Sequence, residues 1–230
     1  MLTSILRCGI HGLFEGGEWS LPISHQDFVK GLDGQFDMYL TPYKPVPQNW
    51  FIPLDGTKVL GLASGGGQQC PVFAAQQADV TVFDYSNQQL ELEKMVVERE
   101  GSAIEIIKGD MSKRLPFEDE SFDMIFHPVS NGYVEDVEHV WKECHRILKK
   151  GGGLLAGFTN PALYLFGEGE NRLTIVNKLP FKGHTDQSEE ELVQTGGIQL
   201  SHSLETQIGG QLKAGFQLQE LYEDHHHKVD

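Results

Sequence analysis

The run Leu60-Gly61-Leu62-Ala63-Ser64-Gly65-Gly66-Gly67-Gln68-Gln69 decides the fold. An apolar, strand-forming stretch from Lys58 to Ala63 passes into three consecutive glycines, and a helical stretch from Pro71 to Gln77 follows. Then the β-branched and aromatic run Val80-Thr81-Val82-Phe83 ends on Asp84, nineteen residues beyond Gly65. In an open α/β sheet a ligand binds beyond the carboxyl ends of the strands. Glycines there let the backbone approach it without interference from a Cβ, and the following helix offers free N–H groups. A carboxylate closing the second strand can accept both hydrogen bonds of a ribose diol.

Working outward, the alternation continues. A helix is expected over Asn87 to Glu100, opened by Ser86 and closed by Gly101, then strands over Ile104 to Lys108 and Phe122 to His127. A helix over Val134 to Leu148 and a strand over Gly153 to Phe158 complete the series. Strands alternating with helices predict an α/β fold with a doubly wound, mostly parallel sheet. In the 134–148 helix Val137, Val140, Trp141, Cys144 and Leu148 share one face, so Cys144 reads as core. Lys149-Lys150-Gly151-Gly152 reads as that helix's C-terminus. Residues 1–56 read as an aromatic-rich cover, with Thr41 to Pro47 held extended by three prolines, residues 57–160 as the ligand-binding core, and residues 161–230 as a substrate-side insertion and the end of the sheet. In that last part, helices are expected over Glu189 to Gln194 and Leu204 to Ala214 and a strand over Gln217 to Tyr222, while Leu163 to Phe166 and Leu173 to Leu179 fit either type.

Composition narrows the partners. The 230 residues carry 33 acidic and 18 basic side chains, a net charge of −15, which repels phosphate backbones and anionic lipid. Cys8, Cys70 and Cys144 are odd in number and lack metal-ligand spacing, and no apolar run is long enough to span a membrane, so a cytoplasmic protein without structural zinc is expected. Adjacent side chains in His225-His226-His227 point alternately and make no closed metal site. The dinucleotide pattern needs a glycine where Cys70 stands, the phosphate-cradling Gly-Lys-Ser/Thr ending is missing, and no Lys or Arg occurs between Lys58 and Lys94. A ligand without phosphates fits that loop.

The order of motifs resembles a class I S-adenosylmethionine-dependent methyltransferase. It is carried by Val59 to Gly67, Val82-Phe83-Asp84-Tyr85-Ser86, Gly109-Asp110-Met111, the runs Leu115-Pro116-Phe117 and Ser121 to Phe126, and Arg146 to Gly152. Leu62 to Gln69 and Phe126-His127-Pro128-Val129-Ser130-Asn131 are similar to a bacterial branch akin to methyltransferase type 11. The resemblance implies S-adenosylmethionine as cofactor, S-adenosylhomocysteine as product and a small-molecule acceptor methylated by in-line transfer. Alternatives are a non-catalytic S-adenosylmethionine-binding module and, opposed by Cys70, a nicotinamide oxidoreductase.

Carried over by position, Ala63, Ser64, Gly65, Gly66 and Gly67 would run beneath the methionine and ribose, with Asp84 and Ser86 at the ribose and Tyr85 against adenine. Asp110 would accept from the exocyclic amine and Met111 would donate its amide. Bland readings remain beside these: a cap for Asp110, surface packing for Tyr85. His127 is a candidate base and pocket residue, or else a hydrogen-bonded strand-end histidine; Tyr133 is a second catalytic candidate. Asn131, Tyr133, Asn160, Tyr43 and Trp50 are the substrate-side candidates. Two departures stand out. Gly61 replaces an acid and Ala63 a glycine, leaving Gln68, Gln69 or a carbonyl to serve the cofactor's ammonium; and the expected C-terminal strand hairpin is incomplete.

Overall fold

The computed structural model describes residues 2–5, 21–166, 174–183 and 199–224. The expected helix over 189–194, the histidines at 225–227, Cys8 and part of the 173–179 run lie outside these residues.

The strands are β1 (Leu2–Ile5), β2 (Lys58–Leu62), β3 (Asp79–Asp84), β4 (Ile104–Lys108), β5 (Phe122–His127), β6 (Leu148–Thr159), β7 (Lys182–Gly183), β8 (Gln199–Leu200) and β9 (Leu221–Asp224). The helices are α1 (His25–Leu32), α2 (Cys70–Ala75), α3 (Asn87–Glu100), α4 (Val137–Ile147) and α5 (Gly210–Ala214). Seven strands form one sheet in the order β4-β3-β2-β5-β6-β1-β9, every pair parallel, while β7 and β8 make a separate antiparallel pair. Strands β2, β3 and β5 are buried almost throughout, as central strands covered on both faces must be. The chain leaves β2 toward β3 on one side and reaches β5 on the other, so the strand order reverses at β2 and opens a crevice at its carboxyl end.

Local chemistry sets the ends of the helices. Ser86 Oγ accepts from the Gln89 amide at 3.3 Å to start α3, and Gly101, at φ 65°, stops it. Asp136 Oδ1 accepts from the His139 amide at 3.0 Å, so α4 begins at Val137 rather than Val134, behind a single 3₁₀ turn over Asn131–Tyr133. The helix stops at Ile147 because Leu148 already pairs with Phe122, which makes β6 five residues longer at its start than the sequence suggests. Lys149 therefore lies on a strand, bonded to both oxygens of Asp123 at 2.9 Å, and not at a helix end.

After β6 a 3₁₀ turn covers Pro161–Leu165, and residues 205–214 wind as a π-helical turn followed by α5. The last strand is confined to residues 221–224. The incomplete hairpin expected at this edge is a different construction: β1 lies parallel beside β6, and β9 parallel beside β1.

Two cores flank the sheet. On one face Val137, Val140, Trp141, Cys144 and Ile147 of α4 pack onto Leu60, Ile125 and Leu154. On the other, Met38, Leu40, Val46, Trp50 and Leu54 join Val59, Phe73, Phe126 and Leu155. Gly157 makes that second layer possible: a Cβ there would sit 2.5 Å from the Leu40 carbonyl oxygen.

Candidate functional site

The glycine loop is fastened amide by amide. Ala63 N donates to Phe83 O at 2.8 Å, Gly65 N to Asp84 Oδ2 at 3.0 Å, Gly66 N to Gln89 O at 2.9 Å and Gly67 N to Glu93 Oε2 at 2.6 Å. The glycines are needed for contact with α3. A Cβ at Gly65 would fall 2.9 Å from Gln89 Cβ, and one at Gly67, whose φ is +71°, 2.5 Å from Val96 Cγ2. Ala63 occupies φ 48°, the left-handed region, which accounts for glycine being usual at this position and leaves alanine there strained.

Above this loop opens a cavity of about 1490 Å³. Asp84 stands on its floor. Its carboxylate accepts from the amides of Gly65 and Ser86, the latter at 2.9 Å, and keeps acceptor capacity toward the cavity. Burial pushes its pKa above the ordinary carboxylate value, against the amides of Ser86, Gly65 and Tyr85, which stabilise the charge. Tyr85 is 72% exposed at the cavity edge, with a ring face free to take a planar group. Asp110 and the buried Met111 complete that side; Asp110 Oδ1 accepts from the Ser112 amide at 2.8 Å in a local turn. Its burial is outweighed by the Ser112 hydrogen bonds and the Lys113 charge, so its pKa lies below the usual value.

The structure brings Ala63, Ser64, Gly65, Gln68, Asp84, Tyr85, Ser86, Asp110, Met111 and Tyr133 to the walls of this one cavity. Gly66 and Gly67 lie behind it, against α3. Five other candidates lie off these walls. His127 is fully buried beneath the wall, Nδ1 2.9 Å from the Leu62 carbonyl and Nε2 2.9 Å from Asn131 Oδ1. Burial lowers its pKa, opposed by those two hydrogen bonds. The histidine thus stands as a hydrogen-bonded residue at the end of β5, off the cavity walls. Asn131 is buried too, its Nδ2 donating to Gln207 Oε1 at 3.0 Å. Trp50 packs against Tyr222, with ring centroids 5.3 Å apart. Tyr43 lies away from the cavity walls, its amide donating to Asp224 Oδ2 at 2.8 Å. Asn160 caps the 3₁₀ turn by accepting from the Ala162 amide at 3.0 Å.

Another wall comes from the segment read as an aromatic-rich cover. Phe36, Met38, Tyr39, Leu40, Thr41 and Pro42 line the cavity opposite the glycine loop. The extended Pro-rich run marks this segment in the sequence; the aromatics that line the cavity from it are Phe36 and Tyr39, with Tyr43 and Trp50 off the wall. At the rim Asp27, Asp37, Glu135 and Asp136 join Asp84 and Asp110, against Lys30 and Lys113. The absent acid is explained as well. A Cβ on Gly61 would lie 2.3 Å from Cys70 Sγ, so the thiol fills the place an acidic side chain would need. Gln69 Oε1 accepts from Ser64 Oγ at 3.2 Å, and Gln68 Nε2 donates to Leu21 O at 2.9 Å, which ties the loop to the N-terminal segment.

A carboxylate with spare acceptor capacity, an aromatic face and a loop without cations suit an adenosyl group lacking phosphates. Known proteins agree with that chemistry. A family model described as a methyltransferase domain (Methyltransf_11) matches residues 60–156. The Bacillus subtilis (strain 168) protein named Uncharacterized methyltransferase YbaJ is 44% identical over 216 residues, which cover 91% of this chain and 85% of that protein. A Ubiquinone biosynthesis O-methyltransferase of Pseudomonas syringae pv. tomato is 30% identical over 130 residues, or 53% of this chain and 55% of its own length. The solved structure of an S-adenosylmethionine dependent methyltransferase from Mesorhizobium loti shares the fold, with a TM-score of 0.59 at 19% identity over 75% of this chain and 80% of that one.

Proposed function

Since this chain belongs to the methyltransferase-domain family and is an S-adenosylmethionine-dependent enzyme, we propose that its methyl acceptor is a small molecule of neutral or positive charge, methylated by in-line transfer. The observation that carries this reading is the cavity itself: about 1490 Å³, apolar along residues 36–42 and rimmed by carboxylates. Such a rim disfavours polyanions, as does the net charge of −15.

In this reading Asp84 holds the ribose hydroxyls, Tyr85 and Met111 sandwich the adenine, and Asp110 accepts from its amine. Gln68 and Gln69 face the amino-acid end. When bound, S-adenosylmethionine supplies a methyl group activated by a positively charged sulfur, chemistry that asks the protein mainly for alignment. The wall from Phe36 to Pro42 excludes water and presses the acceptor toward the loop, and Tyr133 orients it from the end of β5. With His127 absent from the walls, an acceptor that must lose a proton loses it to a carboxylate of the rim or to solvent.

The test is transfer of labelled methyl from S-adenosylmethionine into a bacterial extract separated by size. Label is expected in the small-molecule fraction; label confined to protein or nucleic acid would refute the reading.

A further inference from the structure

One buried carboxylate is left over from this account. Glu93, midway along α3, is fully buried; its Oε2 accepts from the Gly67 amide at 2.6 Å, while Oε1 has no hydrogen-bond partner among the described residues. The titratable groups that act on it or feel its charge are Asp84, from β3, and the Cys70 thiol, from α2. Neither is a cation, so an ionised Glu93 is a buried negative charge without a countercharge. The same thiol occupies the space beside Gly61 from which the family's acid is missing.

We infer that Glu93 is a positioning residue for cofactor binding: a carboxylate delivered from α3 that replaces the acid absent at Gly61, fixing the glycine loop through Gly67 and setting a negative charge behind it that favours cationic S-adenosylmethionine over its uncharged-sulfur product. A charge-assisted hydrogen bond is stronger than a neutral one, so the contact from the Gly67 amide holds the loop more firmly when Glu93 is ionised. Burial, partly offset by the Gly67 hydrogen bond and reinforced by Asp84, raises the carboxyl pKa to about 7, so its charge changes across neutral pH. Because that value lies above the unfolded one, the contribution of Glu93 to stability is fully present at low pH and is lost as pH rises through about 7. The ionised group thus opposes folding while it serves binding. A purely structural residue would move both quantities together.

The experiment measures affinities for S-adenosylmethionine and S-adenosylhomocysteine by calorimetry at several pH values from 6 to 8, and thermal unfolding without ligand, on the full chain and on Glu93→Gln. In the unaltered protein the preference for S-adenosylmethionine should grow roughly threefold to tenfold as pH rises. In Glu93→Gln, affinity for S-adenosylmethionine at pH 8 should fall about fivefold or more, the preference should no longer change with pH, and Tm at pH 8 should hold or rise. Equal affinity with an unchanged pH profile, or parallel loss of stability and affinity, would overturn the inference. If Glu93→Gln does not fold, the unaltered protein decides, since a flat preference from pH 6 to 8 is equally fatal. Failure of that protein to bind either ligand would instead refute the reading of the site on which the inference rests.

Discussion

At the scale of single residues, the site separates side chains facing the ligand from side chains that hold the frame. Asp84→Ala should weaken S-adenosylhomocysteine binding about tenfold or more, since a hydrogen bond to a charged group contributes roughly 1.5–3 kcal/mol, and calorimetry on the purified variant reads this directly. His127→Ala should act on the fold instead. Losing a buried ring and its two hydrogen bonds costs about 2–4 kcal/mol in denaturant unfolding, while any pH–rate profile keeps its shape. Because burial depresses the His127 pKa below its unfolded value, its contribution is present above the unfolded value and is lost as pH falls through the folded one; the acid side of the stability curve should flatten in the variant. Ala63→Gly relieves a left-handed alanine and should stabilise the protein by about 0.5–1 kcal/mol, measured as a shift in denaturation midpoint. The places of Asp84 and Asp110 on the cavity walls were legible in the sequence because Asp84 closes β3 and Asp110 stands two residues past β4, each beside a recognisable motif. Trp50, Tyr43 and Asn160 were not. Being aromatic or amide-bearing near a pocket says nothing of which way a side chain turns, and here packing against Tyr222, an Asp224 contact and a local cap absorb them.

Among elements, the contact between β2 and α2 carries a substitution that can be read backwards. Gly61→Ala drives a Cβ into Cys70 Sγ and should cost about 1–3 kcal/mol; Cys70→Ala in the same chain empties that space and should recover about half of it or more. A double-mutant cycle of denaturant midpoints tests this, and additive effects would contradict the packing. The core elements from β2 to β6 could be anticipated because their signals are local: apolar runs of strand length, Ser86 and Gly101 at the ends of α3, a 3.6-residue stripe on α4. Where boundaries moved, a side chain acting at a distance moved them. Asp136 restarts α4 three residues late, and pairing of Leu148 with Phe122 ends it one residue early. The sheet edge was beyond such reasoning, because β1 joins it by pairing with β6, more than one hundred and fifty residues away, and β9 by pairing with β1, more than two hundred residues away. No local pattern encodes a partner so remote.

For the molecule as a whole, the cavity is a seam between two distant parts of the sequence. The wall at residues 36–42 runs into a segment held by strand β9: Asp224 Oδ2 accepts from the amides of Tyr43 and Lys44 at 2.8 and 3.1 Å, and the Tyr222 hydroxyl donates to the Lys44 carbonyl at 3.2 Å. Asp224→Ala leaves two part-buried amides without their acceptor. It should lower stability by about 2–4 kcal/mol and weaken acceptor binding more than cofactor binding, a split visible as a larger change in KM for the acceptor than in Kd for S-adenosylhomocysteine. Comparable changes in both would show that the wall is not held from this strand. The order of these parts along the chain has a biosynthetic consequence. On the ribosome, residues 36–44 emerge before any strand of the central sheet from β2 to β6, yet the aspartate that pins them is translated only after all of those strands. A nascent chain can therefore assemble its nucleoside shelf early while the opposite bank stays unmoored, and substrate selectivity arrives only once β9 has followed.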